Sequence, residues 1–525
     1  MKTKWIGLFC LFAILAILLG LGANAASANA VPPQNNVPNR VENIASRLTD
    51  VLTKAGFEVA RGYFKLYTIP DCQYTYPALK SCFYNNPAAP YVLPLVPYWA
   101  NEWVDPALQN AWGPTEPGYN GVHRFDEREA VLILGLLPPK GAYFGVQSWI
   151  FSRQDTYDTS SYMYNYIKTN YPQGVLDAFF HTLPPPDEER VQTFDSLSNI
   201  TNNVVIEQQS GAAFNQLRYF IITPDQTMDS KLRAALDKIS IQAKDIFTEP
   251  IPSTMRIGLN QEADDFITII RYAEPKHIAQ ADQWRTDLPL IVLRIRPTNP
   301  DWEPAPYGPP VLEPRTALNE FPLSPDLDNL VEAVFDHWSQ PYDPGRVWTN
   351  VDLQTEFDLV GPHCLQIGMD CIADSQDTTY QGFPGGFLMT PGRVLAYAGV
   401  LGTETGNATY VGLGVNNVNL KLGVYNLSGQ EMKGSAASFA NQVNNTDKLY
   451  LHYFARSCAG LETLTGGACT EITSEMIPLC TDPTGLTCQR ITFSERDYIF
   501  PGTRRGPDSA FILPAKVIIL NDPRP

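Results

Sequence analysis

Pro304-Ala305-Pro306-Tyr307-Gly308-Pro309-Pro310 sits inside a longer stretch, Pro297 to Pro325, that holds nine prolines in twenty-nine residues. Proline has no N–H to give a ladder and cannot continue a helix, so 297–325 reads as an extended connector. It predicts an α+β domain over 31–296 and a β-rich, disulfide-containing domain over 326–525. The alternative is one large domain with a Pro-rich strap across its surface. Composition changes at this boundary. Residues 31–300 carry 29 acids and 23 bases, whereas 301–525 carry 26 acids, 13 bases and six of the nine cysteines.

Upstream of the connector, Val41, Ile44, Leu48, Val51 and Leu52 recur at helical spacing and predict a helix over 38–56. Ala130–Leu137 and Tyr143–Phe151 are apolar runs around Pro138-Pro139-Lys140-Gly141, the signal of two strands paired across a turn. Strands are also expected at Val204–Ile206, Tyr219–Ile222, Phe266–Ile270 and Leu290–Ile295, with a helix near 229–240. The stretch Tyr63–Tyr119 reads as loops and short strands. The sum is an α+β N-terminal half with a mixed sheet.

Downstream, Leu327, Leu330, Val331, Val334, Phe335 and Trp338 stripe a helix, with Ser324 as its expected N-cap and Pro325 at its first position. Short Gly-punctuated strands follow at Val394–Val400, Thr409–Val415, Leu420–Tyr425, Leu449–Phe454, Arg490–Phe493 and Ala515–Leu520. They predict a mainly antiparallel β sandwich or barrel-like C-terminal half. No internal repeat is visible in the sequence.

The first thirty residues have the form of a secretory signal peptide. Lys2 and Lys4 precede an uncharged apolar run from Trp5 to Gly22, and Ala23-Asn24-Ala25 and Ala28-Asn29-Ala30 offer cleavage sites. The rival is an uncleaved anchor. Cleavage predicts a secreted or periplasmic chain with no stable membrane insertion. It removes Cys10 and leaves eight cysteines in local couples: Cys72/Cys82, Cys364/Cys371, Cys458/Cys469 and Cys480/Cys488. An even count in an exported chain reads as disulfides. Zinc is disfavoured, because no C-x-x-C occurs.

The formal charge of −17 argues against a nucleic-acid partner. There is no G-x-S-x-G, H-E-x-x-H, P-loop or Rossmann fingerprint, and the six histidines are scattered. Two segments stand out as candidate ligand sites. In 496–509, Arg496, Arg504, Arg505 and Asp508 form a local reversal of charge; guanidiniums bind carboxylate, sulfate or phosphate in forks. Pairing with neighbouring acids is the structural alternative. In 449–456, His452 and Arg456 share one face at strand period. Asp370, Asp374 and Asp377 are weak calcium candidates, since calcium prefers clustered oxygens, although their spacing matches no EF-hand. No other cofactor is identified.

Two functions follow. The first is an exported protein that binds a polar or anionic ligand, a glycan or a surface partner through aromatic-rich loops and the Arg-containing loop. The second is an extracytoplasmic hydrolase of carboxylate acid/base type acting on a glycan or similar polymer, which needs a facing pair of carboxylates in a cleft. The oligomeric state is not legible.

Overall fold

The computed structural model describes residues 37–185, 189–479 and 490–524. Four open sheets and flanking helices form an α+β fold with sandwich-like sheets in both halves; no sheet closes into a barrel. Sheet I runs in the order Phe57–Arg61, Leu290–Pro297, Ala130–Leu136, Leu217–Thr223, Ile246–Pro250. Its pairs are antiparallel except the last, which is parallel. The central run Ala130–Leu136 is buried at every position because both of its faces are covered. Ala130, Leu132 and Leu134 meet helices Val37–Lys54 and Gln226–Lys238, while Val131 and Ile133 meet sheet II.

Sheet II runs Tyr63–Tyr67, Tyr91–Pro97, Asp265–Pro275, Gly141–Gln154, Arg190–Ser196. Side chains alternate along a strand. Phe144, Val146, Ile150, Phe266 and Ile270 therefore pack inward against sheet I, and Tyr143, Gln147, Trp149, Ile269 and Arg271 point the other way.

The second half repeats this arrangement. Sheet III runs Val347–Thr349, Lys516–Asn521, Arg393–Val400, Leu449–Ala455, Cys469–Glu471, again antiparallel with a parallel last pair. Helix Ser324–His337 covers its outer face. Sheet IV runs Val351–Asp352, Thr378–Gly382, Arg490–Tyr498, Tyr410–Asn417, Leu422–Ser428, and packs on sheet III through Leu413, Val415, Phe493, Tyr397 and Val517. Sheets II and IV face each other, where Tyr143 and Ala273 meet Tyr410 and Tyr498.

Strand for strand, sheets I and III share one order and one set of senses, and so do sheets II and IV. The expectation of no internal repeat is therefore corrected at the level of topology. Registers make residues equivalent: Arg271 lies opposite Gly145 and Ala273 opposite Tyr143, as Arg496 lies opposite Gly412 and Tyr498 opposite Tyr410. The two halves also exchange arms. Each arm leaves the first strand of its half's inner sheet, carries a disulfide and ends in the second strand. The first contains Cys72–Cys82 and the second Cys364–Cys371. Cys82 and Tyr84 donate their N–H groups to Leu420 and Lys421 of the second half (3.0 and 2.6 Å), and Cys371 and Ala373 donate theirs to Thr193 and Phe194 of the first (2.8 and 3.0 Å). Both arms place two successive residues at positive φ directly after the cysteine: Phe83 and Tyr84 (58° and 46°), Ile372 and Ala373 (52° and 57°). Non-glycine residues pay for that conformation, a β-branched one most of all, so the opposite half's hydrogen bonds hold it.

Cys458–Cys469 forms the third bridge described; Cys480 and Cys488 lie outside the described residues, as does the leader. The proline-rich segment is mostly without regular structure and runs along the first half, with Gln226 N–H donating to Ala305 (2.8 Å) and Ser253 N–H to Tyr307 (3.1 Å). Several expectations are corrected. Val204–Ile206 belongs to a helix, Asn203–Ser210, capped by Asn202, because the apolar run is too short to distinguish helix from strand by period. A helix, Cys72–Leu79, lies within the stretch read as loops and strands. Ser324 makes no side-chain cap. The strand expected to stop at Phe493 continues to Tyr498. Among the described residues no helix is long and apolar enough to cross a membrane.

Candidate functional site

Between sheets II and IV, and closed by both arms, lies a cavity of about 1170 Å³. Its walls are mostly apolar and aromatic, with Phe83, Tyr91, Trp149, Phe179, Phe357 and Phe383 among them. Arg490, Thr492, Ser494, Arg496 and Tyr498 all line it, because alternate residues of one strand share a face. Ile269 and Arg271 come from the equivalent strand of sheet II.

Two buried guanidiniums, each 6% exposed, define its polar end. Arg271 is supplied with side-chain acceptors, although its Nε has no hydrogen-bond partner. Its Nη2 donates to Ser375 Oγ (2.5 Å) and Gln147 Oε1 (3.3 Å) and lies 3.9 Å from Asp377. Its guanidinium lies 5.8 and 5.5 Å from the ring centres of Tyr143 and Trp149. Arg496 is not. Nη2 donates to the carbonyl of Tyr84 (2.7 Å), Nη1 has no hydrogen-bond partner, and no ion pair forms to it among the described residues. A buried charge without a counterion is costly, and an anion offsets that cost.

The phenols of Tyr91 and Tyr380 lie in the field of both guanidiniums. Burial nevertheless pushes both up, so at neutral pH they are protonated hydrogen-bond donors. Asp374 also lines the cavity. Burial pushes its carboxyl up to about 6, against hydrogen bonds that favour the charged form. Ser196 N–H (2.7 Å) and Oγ (2.6 Å), Gly361 N–H (3.1 Å) and Gln376 Nε2 (2.8 Å) donate to it. The two bonds from Ser196 fix the second arm against the first half, and those from Gly361 and Gln376 lie within the arm. The other acid in the wall, Asp177, is exposed on helix Gln173–Phe179.

Of the residues singled out in the sequence, the cavity takes Arg496 and Asp374. Arg504 pairs with Glu313 (2.6 Å). Arg505 donates to Gln376 (2.5 Å), and burial lowers its pKa to about 9. Asp508 accepts from Ala510 N–H (3.1 Å) in a turn. His452 is buried beside Thr470 (2.9 Å), and burial lowers it to about 4. Arg456 ties down the carbonyls of Met389, Ile472 and Ile477 (2.8, 3.1 and 2.7 Å). The proposed common faces therefore hold loops together. The three calcium candidates go to separate partners. Asp370 pairs with Gln192 (2.7 Å) and His181 (3.2 Å), Asp374 with Ser196, and Asp377 with Ser375 (2.9 Å) and Asn202 (3.2 Å). Among the described residues the one group with metal-ligand proximity is Asp195, Cys364 and Cys371, and its sulfurs are joined in a disulfide.

Arg271, Tyr91, Trp149, Tyr380 and Tyr498 were missed. Two of them have a signal, a tyrosine nine positions after a cysteine at Cys82/Tyr91 and Cys371/Tyr380, and Tyr-x-Gly at 143–145 and 410–412 marks the equivalent strands beside them.

No family model matches the chain, and no curated protein matches it. Among solved structures it is similar to an uncharacterized protein from Burkholderia cenocepacia, at 8% identity and a TM-score of 0.36, over 94% of this chain and 92% of that one.

Proposed function

We propose that the chain is an exported binding protein that captures a small ligand bearing one anionic group on an apolar body, in the cavity between sheets II and IV. Arg496 carries this reading: its guanidinium is buried, has no acid beside it and keeps one nitrogen unbonded at the wall of a large aromatic cavity. Ligand pockets combine such apolar walls with a few placed polar groups, and a guanidinium is the side chain best shaped for a carboxylate or related oxyanion. Three disulfides support an oxidising compartment, in keeping with the leader-like first thirty residues.

Anilinonaphthalene sulfonate, an anion on an aromatic body, serves as a probe. Titrated into the folded protein by calorimetry, it should bind at one site, and Arg496→Gln should weaken it by about tenfold or more, the value of a charge-assisted hydrogen bond. Equal affinity for the Arg496→Gln protein, with its fold intact by circular dichroism, would end this reading.

A further inference from the structure

The duplicated topology shows what Arg496 lacks. Each arm runs without a gap from its second cysteine to a tyrosine nine positions on: Cys82 to Tyr91 and Cys371 to Tyr380. Within both, the same turn is closed by the same bond, Ala89 N–H to Asn86 (3.0 Å) and Thr378 N–H to Ser375 (3.2 Å). Ala88 therefore holds the position of Asp377, and Asn86 that of Ser375. In the sheets, Gly145 opposes Arg271 and Gly412 opposes Arg496. Two residues further along those strands, Gln147 corresponds to Gly414. By position, the three polar side chains that face Arg271, namely Gln147, Ser375 and Asp377, thus correspond to Gly414, Asn86 and Ala88 on the Arg496 side. Asn86 does not compensate, since its amide is directed to the Tyr410 hydroxyl (3.4 Å). At Gly414 an added Cβ would stand 2.6 Å from Arg496 Nη1, so the position that carries Gln147 in the other sheet offers this buried nitrogen no hydrogen-bond partner.

We propose that the ligand is a carboxylate, and that its carboxyl group supplies to Arg496 the oxygens that Asp377 and Gln147 supply to Arg271. The proposal rests on the cavity being the binding site and adds the headgroup chemistry and the place it occupies. Arg271 is completed by the protein itself, through Gln147 of its own half and Ser375 and Asp377 of the other half's arm, and Arg496 is left to be completed from outside. Phosphate and sulfate esters fit this less well, because the internal group they would replace is a planar carboxylate flanked by an amide.

The test restores the missing partners. Anthracene carboxylate, followed by its fluorescence, should bind the wild-type protein, and anthracene methanol should bind at least about tenfold more weakly. Ala88→Asp, at an exposed turn position, should weaken the carboxylate by about tenfold through an internal competitor for the guanidinium. Ala88→Asn, of the same shape and uncharged, should leave it unchanged. Gly414→Gln should weaken it independently. Undiminished carboxylate binding by both Ala88→Asp and Gly414→Gln overturns the proposal. So does equal binding of acid and alcohol. If Arg496→Gln abolishes binding in those cases, the cavity reading stands and the headgroup assignment alone falls. If Arg496→Gln is also without effect, the cavity reading falls first.

Discussion

The strands Asp265–Pro275 and Arg490–Tyr498 occupy the same place in the two halves and bury different chemistry. In the first, Arg271 is flanked in sequence by Ile270 and Tyr272, which pack into an apolar layer between sheets. In the second, Arg496 is flanked by Glu495 and Asp497, both buried on the opposite face. Topology tolerates this exchange because backbone ladders and the surrounding apolar layers carry the fold. What differs is where unbalanced charge is kept. The first half has its cavity-facing cation neutralised by Asp377, carried in on the second half's arm. The second keeps a cation without a counterion on one face of a strand and, on the other, two buried acids that burial pushes toward their neutral form.

The largest expected effect separates the two guanidiniums. Asp377→Ala removes the carboxylate nearest Arg271 and leaves that cation buried. Breaking a buried pair in this way costs about 3–5 kcal/mol. Arg496→Gln removes a cation that has no such partner, so the folded state should lose less than about 1 kcal/mol or gain stability. Urea unfolding of both variants decides the matter. Similar losses for the two would mean that Arg496 is as well compensated as Arg271, and the contrast between the halves would collapse.

A second test sharpens the contrast on the opposite face. Burial pushes Glu495 up to about 7, against hydrogen bonds from Tyr450 (2.7 Å) and Tyr397 (3.2 Å). A carboxyl whose folded pKa is raised is protonated in the native state. It favours the fold fully below the unfolded value near 4.5, and this contribution is lost as pH rises through about 7. At about 1.4 kcal/mol per pKa unit the loss is on the order of 3 kcal/mol between pH 4.5 and 8. Glu495→Gln keeps the shape and cannot ionise, so its stability should fall less over that range. An unchanged difference in stability between pH 5 and pH 8 in denaturant titrations would assign the loss at rising pH elsewhere.

Much of the fold was legible in the sequence. The continuous run at 130–136 announced a strand, although the expected pairing across the following turn is corrected, since the two strands lie in different sheets, and the stripe from Leu327 to Trp338 announced a helix. Period carried these readings because each element buries one regular set of side chains. The site was legible only in part. Arg496 drew attention as a cation in an acidic region, but Arg504 and Arg505 drew the same attention and are held by Glu313 and Gln376. Charge along a chain does not say which cation will find an acid once the chain folds. Arg271 went unremarked within an apolar strand, where a single basic residue among Ile269, Ile270 and Tyr272 gives no local contrast. The duplication escaped notice because it is preserved in strand order and in a few positions, Tyr-x-Gly and the cysteine-to-tyrosine spacing, while intervening loops differ. Helices Tyr162–Asn170 and Gln173–Phe179 join two strands of sheet II, and a short turn joins the equivalent strands of sheet IV.

The smallest effect concerns the exchanged arms and tests whether the halves are truly reciprocal. Cys72 and Cys82 belong to the core of the second half. Cys364 and Cys371 pack with Met163, Ile167 and Phe179 of the first. Each bridge spans a short loop, ten and seven positions, so removing either by paired serine substitution should cost about 2–3 kcal/mol in the chain-entropy picture. The similar cost hides an opposite address. Without Cys72–Cys82, amide exchange should quicken in Leu422–Ser428, whose edge the first arm covers. Without Cys364–Cys371 it should quicken in Arg190–Ser196. An arm that served only its own half would quicken exchange in its own sheet instead, and the pattern would run uncrossed. A crossed pattern would place the cavity between two clasps, each anchored in the half it does not come from. Loosening either one would then reach the Arg pair directly, since Tyr84 and Ser375, which hold Arg496 and Arg271, lie on those arms.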